Sequence, residues 1–213
     1  MHRARQHAES RNRERRHRLA HEAARLMAEG GIRDFHQAKL KAADRLGIHD
    51  EAALPRNSEV EDALRQYQRL FAGARQIDAL RIRREAAERA MAFLAPFSPR
   101  LVGPVLEGTA DAHSAVTLHV HTDDAEALVR FMEEHRIPAE SRMRRMRLDR
   151  QRSVDVDVWL FAAEDLTFDL TVLPDASLRQ APLSAIDDKP MRRMSRAQLA
   201  KLLAQEDAAA DAQ

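Results

Sequence analysis

Two histidines and one aspartate occur at spacings that could bind a metal ion. His119 and His121 lie two residues apart in the segment SAVTLHVH, and Asp169 lies in the later segment LTFDLTVL. Alternate residues of a β-strand share one face, so both imidazoles would point the same way. Imidazole and carboxylate together suit zinc, iron or nickel, with Asp169 or Asp157 as the third ligand. Alternatively, the two histidines line a solvated sheet face or the rim of a shallow pocket.

Arginine is concentrated in two stretches that could contact phosphate. Residues 1–18 hold seven arginines against Glu9 and Glu14, and residues 141–152 hold six against Asp149, so each stretch carries a net charge of +5. Arginine donates in a planar array that matches phosphate oxygens, so a nucleotide or a nucleic acid is a candidate partner. Alternatively, the first stretch is a solvated tail, and the second is a solvated loop or an edge strand protected by its charge.

The composition excludes several classes of protein. The chain of 213 residues contains no cysteine, which rules out disulfides, thiolate metal sites and cysteine nucleophiles. Its net charge is only +1, so acidic residues elsewhere balance the two basic stretches. No apolar run is long enough to span a membrane, and the basic N-terminus lacks the apolar centre of a secretory signal. We therefore expect a cytoplasmic protein with no membrane segment; the oligomeric state is left open.

The first half of the chain shows the apolar period of α-helices. A first helix is expected to end at Gly30-Gly31. A second is expected to run from a cap at Asp34 to a stop at Gly47. Ser58 and Glu61 have the spacing of a capping box, which predicts the start of a third helix.

The clearest boundary is the segment APFSPR, residues 95–100, because its two prolines disfavour helix. A fourth helix is expected directly before it, from about residue 74 to residue 94, with one apolar face turned inward. The residues expected on that face are Ile77, Leu80, Ala87, Met91 and Leu94.

Beyond this boundary the apolar period becomes that of β-strands. The segment SAVTLHVH predicts a strand with one buried face, followed by a helix capped by Asp123 and Glu126. The segments SVDVDVWLFA and DLTFDLTVLP predict a hairpin with a turn near residues 163–165. We therefore predict an α+β protein with four regions. These are a basic tail (1–18), a helical region (19–95), a small α/β domain with a mixed sheet (96–175), and a connector with a short helix and disordered tail (176–213).

The region from about Leu101 to Pro174 resembles the nucleotidyltransferase fold of the DNA polymerase beta superfamily. The resemblance rests on an apolar strand, VGPVLEG, that runs into the turn Gly108-Thr109, on the alternating segment SAVTLHVH and on the later strand LTFDLTVL. It implies that the Gly-Thr turn starts a short helix near a bound triphosphate. It also implies divalent metals held by two carboxylates, two residues apart on one strand, and by a third carboxylate on a later strand.

The chain departs from this family at the paired carboxylates. One alignment places them at Ala115 and Thr117, and a second places them at His119 and His121. Neither alignment supplies an acid, so a divalent metal cofactor is not supported by paired carboxylates. The resemblance therefore implies a nucleotidyltransferase-like fold that has lost its metal-dependent transfer.

Asp169 is the one residue that matches the family's third carboxylate, and it is the candidate catalytic residue. Asp155 and Asp157 alternate on a neighbouring strand and are expected to lie close to it. We expect a non-catalytic protein that binds a nucleotide or another phosphate-containing ligand. The candidate ligand-binding residues are Gly108, Thr109, Arg142, Arg144 and Arg145.

Two other classes of function remain as alternatives. The segment AARLMAEGGIRDFHQAKLKAADRLG is similar to the opening of a tetracycline-repressor-type helix-turn-helix domain, which implies a DNA-binding regulator with phosphate contacts at Lys39, Lys41 and Arg45. However, Pro55 interrupts the segment after Gly47, where the recognition helix should begin. The last alternative is a protein-interaction module built on the helical region.

Overall fold

The chain forms an α+β protein in which helices precede the sheet. The computed structural model describes residues 2–71, 74–184 and 186–210, and these form seven α-helices and one five-stranded sheet. The chain divides into two units, Met1–Gly73 and Ala74–Gln213. The helix that the sequence assigned to the end of the helical region therefore lies in the unit that contains the sheet.

The first unit contains three packed helices, α1 (His2–Gly30), α2 (Phe35–Leu46) and α3 (Asn57–Phe71). Its core is rich in small side chains, which allow helices to pack closely. The buried residues include Leu19, Ala23, Ala24, Ala38, Ala42, Ala53, Val60 and Leu64.

Residues 2–18, expected as a basic tail, form the first half of α1. This stretch is composed mainly of good helix formers and contains neither glycine nor proline before Gly30, so nothing in it ends a helix. The helix ends at Gly30, as the sequence predicts.

The expected caps of α2 are confirmed, whereas the cap of α3 differs. Asp34 accepts a hydrogen bond from the backbone N–H of Gln37 at 2.6 Å, and Gly47 ends α2 in the left-handed conformation with φ of 63°. At the start of α3, the Glu59 carboxylate accepts from the backbone N–H of Arg56 at 2.7 Å. Glu59 therefore caps the start of α3, the role that the sequence assigned to Glu61.

The second unit is built on a mixed sheet with the strand order β1-β2-β5-β4-β3. Strands β2 and β5 are parallel, and the other neighbouring pairs are antiparallel. Its strands are β1 (Arg100–Val102), β2 (Val116–His121), β3 (Glu140–Arg147), β4 (Ser153–Ala163) and β5 (Leu166–Leu173). Its helices are α4 (Ala74–Phe93), α5 (Gly103–Glu107), α6 (Ala125–Glu134) and α7 (Arg196–Ala210).

The hairpin of β4 and β5 and the edge position of the arginine-rich strand agree with the sequence. A two-residue turn joins β4 to β5, and both of its residues, Glu164 and Asp165, have positive φ values of 52° and 61°. This backbone matches the tight turns that suit strand twist. The basic stretch forms β3 at the edge of the sheet, where charge discourages pairing with other strands.

One face of the sheet packs against α4, α6 and α7, and we call it the core face. It carries the alternating apolar residues of β2 and β5, which join Met91 of α4, Leu128 of α6 and Leu199 of α7 in one cluster. The contributing strand residues are Val116, Leu118, Val120, Phe168, Leu170 and Val172. Ile77, expected on the inward face of α4, is instead 64 % exposed, because packing of α4 against the sheet begins closer to Leu80.

Two buried arginines of α4 contact α5 and the chain that follows it. Arg83 donates to the carbonyl of Ser114 at 2.7 Å and also to that of Ala112, directly before β2. Arg84 donates to the carbonyl of Val105 in α5 and forms an ion pair with Glu206 of α7. These hydrogen bonds set where β2 begins.

The C-terminal part of the chain is more helical than expected. Residues 174–184 and 186–194 form a connector with a short 3-10 helix at Asp175–Leu178, and Met194 pairs with Leu101 of β1. The last helix, α7, continues to Ala210, although the sequence predicted a short helix and a disordered tail. Residues 196–210 contain neither glycine nor proline and are rich in alanine, so nothing ends the helix earlier.

Candidate functional site

The second face of the sheet, which we call the site face, combines a polar part on β2 and β5 with a small buried apolar cluster that includes Met146, Val156 and Leu173. On β2 it carries Thr117, His119 and His121, which are the register partners of Asp169, Thr171 and Leu173 on the parallel strand β5. Partners on adjacent strands point to the same side of a sheet. The site face therefore places two hydroxyls, two imidazoles and one carboxylate side by side.

Strands β3 and β4 add arginines to the same face. Leu160 and Val158 of β4 pair with Asp169 and Thr171, and Val158 in turn pairs with Arg142 of β3. Arg144, two residues farther along β3, shares this side of the sheet. Both arginines can therefore extend over β4 toward the polar centre of the site face.

Arg144 forms a two-pronged ion pair with Asp169. Its two terminal nitrogens donate to the two carboxylate oxygens of Asp169, at 3.2 and 2.6 Å, and one also donates to the Thr171 hydroxyl at 3.1 Å. The Asp169 side chain is 13 % exposed and that of Arg144 is 43 % exposed, so the pair lies at the open edge of the site face. Arginine and carboxylate matched in this way orient each other strongly.

His119 lies deep on the site face. It is 2 % exposed, and burial lowers its pKa to about 3, with smaller contributions from the charges of His121, Arg193 and Arg144. No group among the described residues lies within hydrogen-bonding distance of its Nδ1 atom. The interpretation that His119 lines a solvated face is therefore wrong. Its ring is neutral at physiological pH.

His121 is equally buried, at 2 % exposure. Its Nδ1 atom lies 3.0 Å from the carbonyl oxygen of Ser98, and its Nε2 atom has no partner in the described part of the chain. Burial lowers its pKa, the hydrogen bond to Ser98 raises it, and nearby Arg193 and Arg100 lower it again. Both histidines thus present a buried nitrogen whose hydrogen bond is unmade.

Two further arginines surround the histidines, and the sequence did not single them out. Arg193 donates to the carbonyl of Leu178 at 3.1 Å and to that of Ser177, and burial and the charge of Arg100 lower its pKa. Arg100 donates to the carbonyl of Pro99 at 2.9 Å. Both guanidiniums are anchored by carbonyls, and neither forms an ion pair within the part of the chain that the structure describes. They place two positive charges near the histidines, with Asp175 as the nearby negative charge.

The proposed metal site of His119, His121 and Asp169 is not formed in the described residues. No group of three histidine, aspartate or glutamate side chains there has a metal-binding arrangement. Asp169 faces Thr117 rather than either histidine, and Arg144 occupies both of its oxygens. A cationic partner already satisfies the one carboxylate on this part of the face.

Asp155 and Asp157 lie on the opposite side of the sheet from Asp169, which corrects the expectation that they lie close to it. Asp155 pairs in register with Arg145 and forms an ion pair with it at 3.0 Å. The two-residue turn sets Leu160 opposite Asp169, so odd-numbered residues of β4 face away. Counting residues outward from that turn predicts, from the sequence alone, that Asp155 and Asp157 lie on the opposite face from Asp169.

The predicted ligand-binding residues are not gathered in one place. Arg142 and Arg144 lie on the site face, whereas Arg145 points to the other side with Asp155. Gly108 ends α5 in a left-handed conformation with φ of 78°, and a side chain there would approach Arg84. Thr109 follows, and its N–H donates to the carbonyl of Pro104.

The short helix starts at Gly103 rather than at Gly108-Thr109, which corrects the expected position of the turn. The expectation that VGPVLEG is a strand is wrong, because only Val102 belongs to β1 and Gly103–Glu107 form α5. Gly103 has φ of 71°, and a Cβ atom built there would lie 3.7 Å from the Thr117 side chain. Pro104 suits the first turn of a helix, whereas the left-handed Gly108 ends one. The glycine next to the site face is therefore Gly103.

The helical region shows no helix directly after Gly47. Residues 48–56 contain only the 3-10 turn Glu51–Ala53, and α3 begins at Asn57. Lys39 donates to the side chain of Asn57 at 2.9 Å, and Arg45 forms a 3.4 Å ion pair with Glu22. Two of the three expected phosphate contacts thus have partners within the unit.

The fold and the site define an α+β protein with a mixed sheet and one buried, arginine-flanked polar face. Comparisons of the chain with known protein families, curated proteins and solved structures find no match. In the described residues, no helix combines the length and the apolar content needed to cross a bilayer.

Proposed function

We propose that this protein binds a nucleotide or another phosphate-containing ligand at the open edge of the site face, without metal-dependent nucleotidyl transfer. The ion pair of Arg144 with Asp169 carries the proposal. Asp169 is the register partner of Thr117 on the parallel strand β2. The resemblance to nucleotidyltransferases would place the paired metal-holding carboxylates on β2. A guanidinium therefore supplies, beside the one acid, the positive charge that a metal would supply.

The donors of Arg144 fit phosphate recognition. A guanidinium has five N–H groups, and the contacts to Asp169 and Thr171 use three of them. The remaining donors lie on a side chain that is 43 % exposed, so a ligand oxygen can reach them. Because Asp169 holds the guanidinium in one orientation, little side-chain freedom is lost when a ligand binds.

The charge of the site face also favours an anion. Arg142 is on the same side of β3 as Arg144, and Arg100 and Arg193 lie near the buried histidines. Of these four arginines, Arg144 faces Asp169 and Arg142 contacts Glu140 at 3.3 Å. Arg100 and Arg193 therefore give the site face a net positive charge. Where low-dielectric walls exclude water, this charge attracts phosphate more strongly.

The position of Thr117 supports the loss of metal-dependent transfer. Thr117 is the partner of Asp169, which favours the alignment that places the family's paired carboxylates at Ala115 and Thr117. A methyl group and a hydroxyl stand at these two positions. Magnesium needs charged oxygen ligands as well as phosphate, and one carboxylate already paired with arginine does not meet that need.

A thermal-shift screen with the four ribonucleoside triphosphates tests the proposal, each with and without Mg²⁺ or Mn²⁺. A ligand that binds only the native state raises the melting temperature. We expect at least one triphosphate to do so without metal. Arg144→Gln should weaken that binding by roughly tenfold or more, because it removes charged hydrogen bonds.

Arg145→Gln is the matched control for this screen. It removes the same charge from the neighbouring residue of the same strand, but on the opposite side of the sheet. It should leave the triphosphate shift within error of the parent protein. A shift that requires metal and is abolished by Asp169→Ala would contradict the proposal and point to catalysis. No shift with any triphosphate would reject nucleotide binding.

A further inference from the structure

A second pair of histidines lies on α1, in the unit that does not contain the sheet. His17 and His21 are one helical turn apart, and their Nε2 atoms are separated by 3.0 Å. The ring centroids are 4.2 Å apart, with the planes tilted by 47°. His17 is exposed and His21 is partly buried. Two nitrogens therefore converge at the surface of the helix.

The separation of these nitrogens matches that of two imidazoles bound to one metal ion. Metal–imidazole bonds of 2.0–2.1 Å place two ligand nitrogens about 3.3 Å apart in a tetrahedral site. The same bonds at a right angle, as in a tetragonal site, place them about 2.9 Å apart. The observed 3.0 Å lies between the two values, so a metal could enter with small rotations of the rings.

The hydrogen bond between the two rings uses one N–H and one lone pair. A metal ion would instead need the lone pairs of both Nε2 atoms, because it binds neutral imidazole. The ring that donates in this hydrogen bond would therefore carry its proton on Nδ1 when a metal is bound.

Two charged residues next to the pair in sequence, Arg16 and Glu22, are engaged elsewhere. Arg16 donates to the carbonyl of Ala52 at 2.8 Å, which draws its guanidinium toward the 3-10 turn. Glu22 is held by Arg25 at 2.8 Å and also contacts Arg45. No third histidine, aspartate or glutamate joins the pair in the described part of the chain. Water is thus the natural ligand for the other coordination positions.

We propose that His17 and His21 form a two-imidazole chelate for a divalent transition-metal ion, with water completing the coordination. Imidazole ligands suit zinc, nickel and copper, whereas calcium and magnesium prefer oxygen. The chelate binds only when the helix is formed, because the two residues meet on one face only in a helix. The bound ion therefore stabilises the middle of α1.

Calorimetric titration of the tag-free full-length protein with Zn²⁺, and separately with Ni²⁺, tests the chelate. We expect one site per chain that His17→Ala and His21→Gln each weaken by at least about tenfold, the usual minimum for disturbing a metal site. His36→Ala and His49→Ala remove other exposed histidines of the same unit and should leave this site unchanged. Mg²⁺ should produce no binding heat at it.

The melting temperature gives a second readout that does not depend on counting sites. Ni²⁺ should raise it for the parent protein and for the two control variants, but not for His17→Ala. His17 is exposed, so its replacement should preserve the helical circular-dichroism signal even if His21→Gln alters the packing. Equal affinity and equal metal-induced stabilisation in His17→Ala and the parent would overturn the proposal and leave only a histidine–histidine hydrogen bond.

Discussion

The two faces of the sheet are made by the same strands but differ in what they bury. On β2, Val116, Leu118 and Val120 are fully buried against helices on the core face. On the site face of the same strand, His119 and His121 are buried to almost the same degree, yet each keeps a nitrogen without a partner in the described residues. Apolar burial explains the first face, but on the second it explains only the small cluster of Met146, Val156 and Leu173 and not the buried histidines.

Folding alone would favour an apolar site face. A buried polar atom with no hydrogen bond costs about 1–3 kcal/mol, so the two imidazoles are expected to reduce stability. Proteins commonly retain such groups where they bind or react. The comparison teaches that the core face determines the fold, and that the polar groups of the site face are the ones to connect with function.

The largest expected effect separates the two faces at adjacent positions of β5. Leu170 and Thr171 are both fully buried, on the core face and on the site face respectively. Leu170→Ala should lower the free energy of unfolding by about 2–5 kcal/mol, because it leaves a cavity in the core. Thr171→Val keeps the shape and removes one hydroxyl, so it should cost about 1 kcal/mol.

Urea unfolding monitored by circular dichroism measures both changes. The loss of unfolding free energy should be at least about twice as large for Leu170→Ala as for Thr171→Val. Equal losses would mean that the polar contacts of Thr171 contribute to stability as much as the apolar core does, and would break the distinction between the faces.

The next effect is the pH dependence that His119 gives to stability. Its pKa falls from 6.5 to about 3 on folding, so between these values the unfolded chain binds a proton that the native protein does not. Stability contributed by the neutral ring is complete above about pH 6.5 and is lost as the pH falls toward 3. By this linkage, lowering the pH from 7.5 to 5 should cost roughly 2 kcal/mol through His119.

His119→Leu should remove this part of the acid sensitivity. The measurement compares the free energy of unfolding at pH 7.5 and pH 5 for the variant and the parent, with His36→Ala as an exposed-histidine control. The drop between the two pH values should be smaller in His119→Leu and unchanged in the control. If the free energy of unfolding of His119→Leu falls as much as that of the parent, then folding does not lower the pKa of His119.

A smaller effect is expected at the ion pair itself. Asp169→Asn removes the negative charge beside Arg144 and so relieves the repulsion of phosphate, while the amide oxygen can still accept from Arg144 and keep the guanidinium oriented. The affinity for the best triphosphate from the screen should rise by a few-fold, as roughly expected for one partly exposed charge. Calorimetry with and without Mg²⁺ measures the change. A loss of affinity confined to the Mg²⁺ titration would instead assign Asp169 to a metal.

Local patterns in the sequence predicted the elements of the sheet well. The alternation in SAVTLHVH became β2, the two later runs became the hairpin of β4 and β5, and the basic stretch became the edge strand β3. These features depend on neighbours in the chain, namely strand period, turn length and charge. The caps at Asp34 and Gly47 were predictable for the same reason.

The content of the site was harder to predict, because it depends on contacts between distant residues. The 3-10 helix after β5 contacts β2, and Arg193 acts on His119 from 74 residues farther along the sequence. Likewise, Arg144 meets Asp169 only because β3 and β5 flank β4. The facing of Asp155 and Asp157 was an exception, since the two-residue turn already determines it.

The most direct test of the central claim is methyl NMR of the protein titrated with the best triphosphate from the screen. Thr117 and Leu118 are neighbours on β2, and Thr171 and Leu170 are neighbours on β5, with one member of each pair on each face. The account predicts that the threonine methyl signals shift on titration and that the leucine signals change much less. Shifts centred on the leucines, on Thr109 or in residues 2–71 would contradict it.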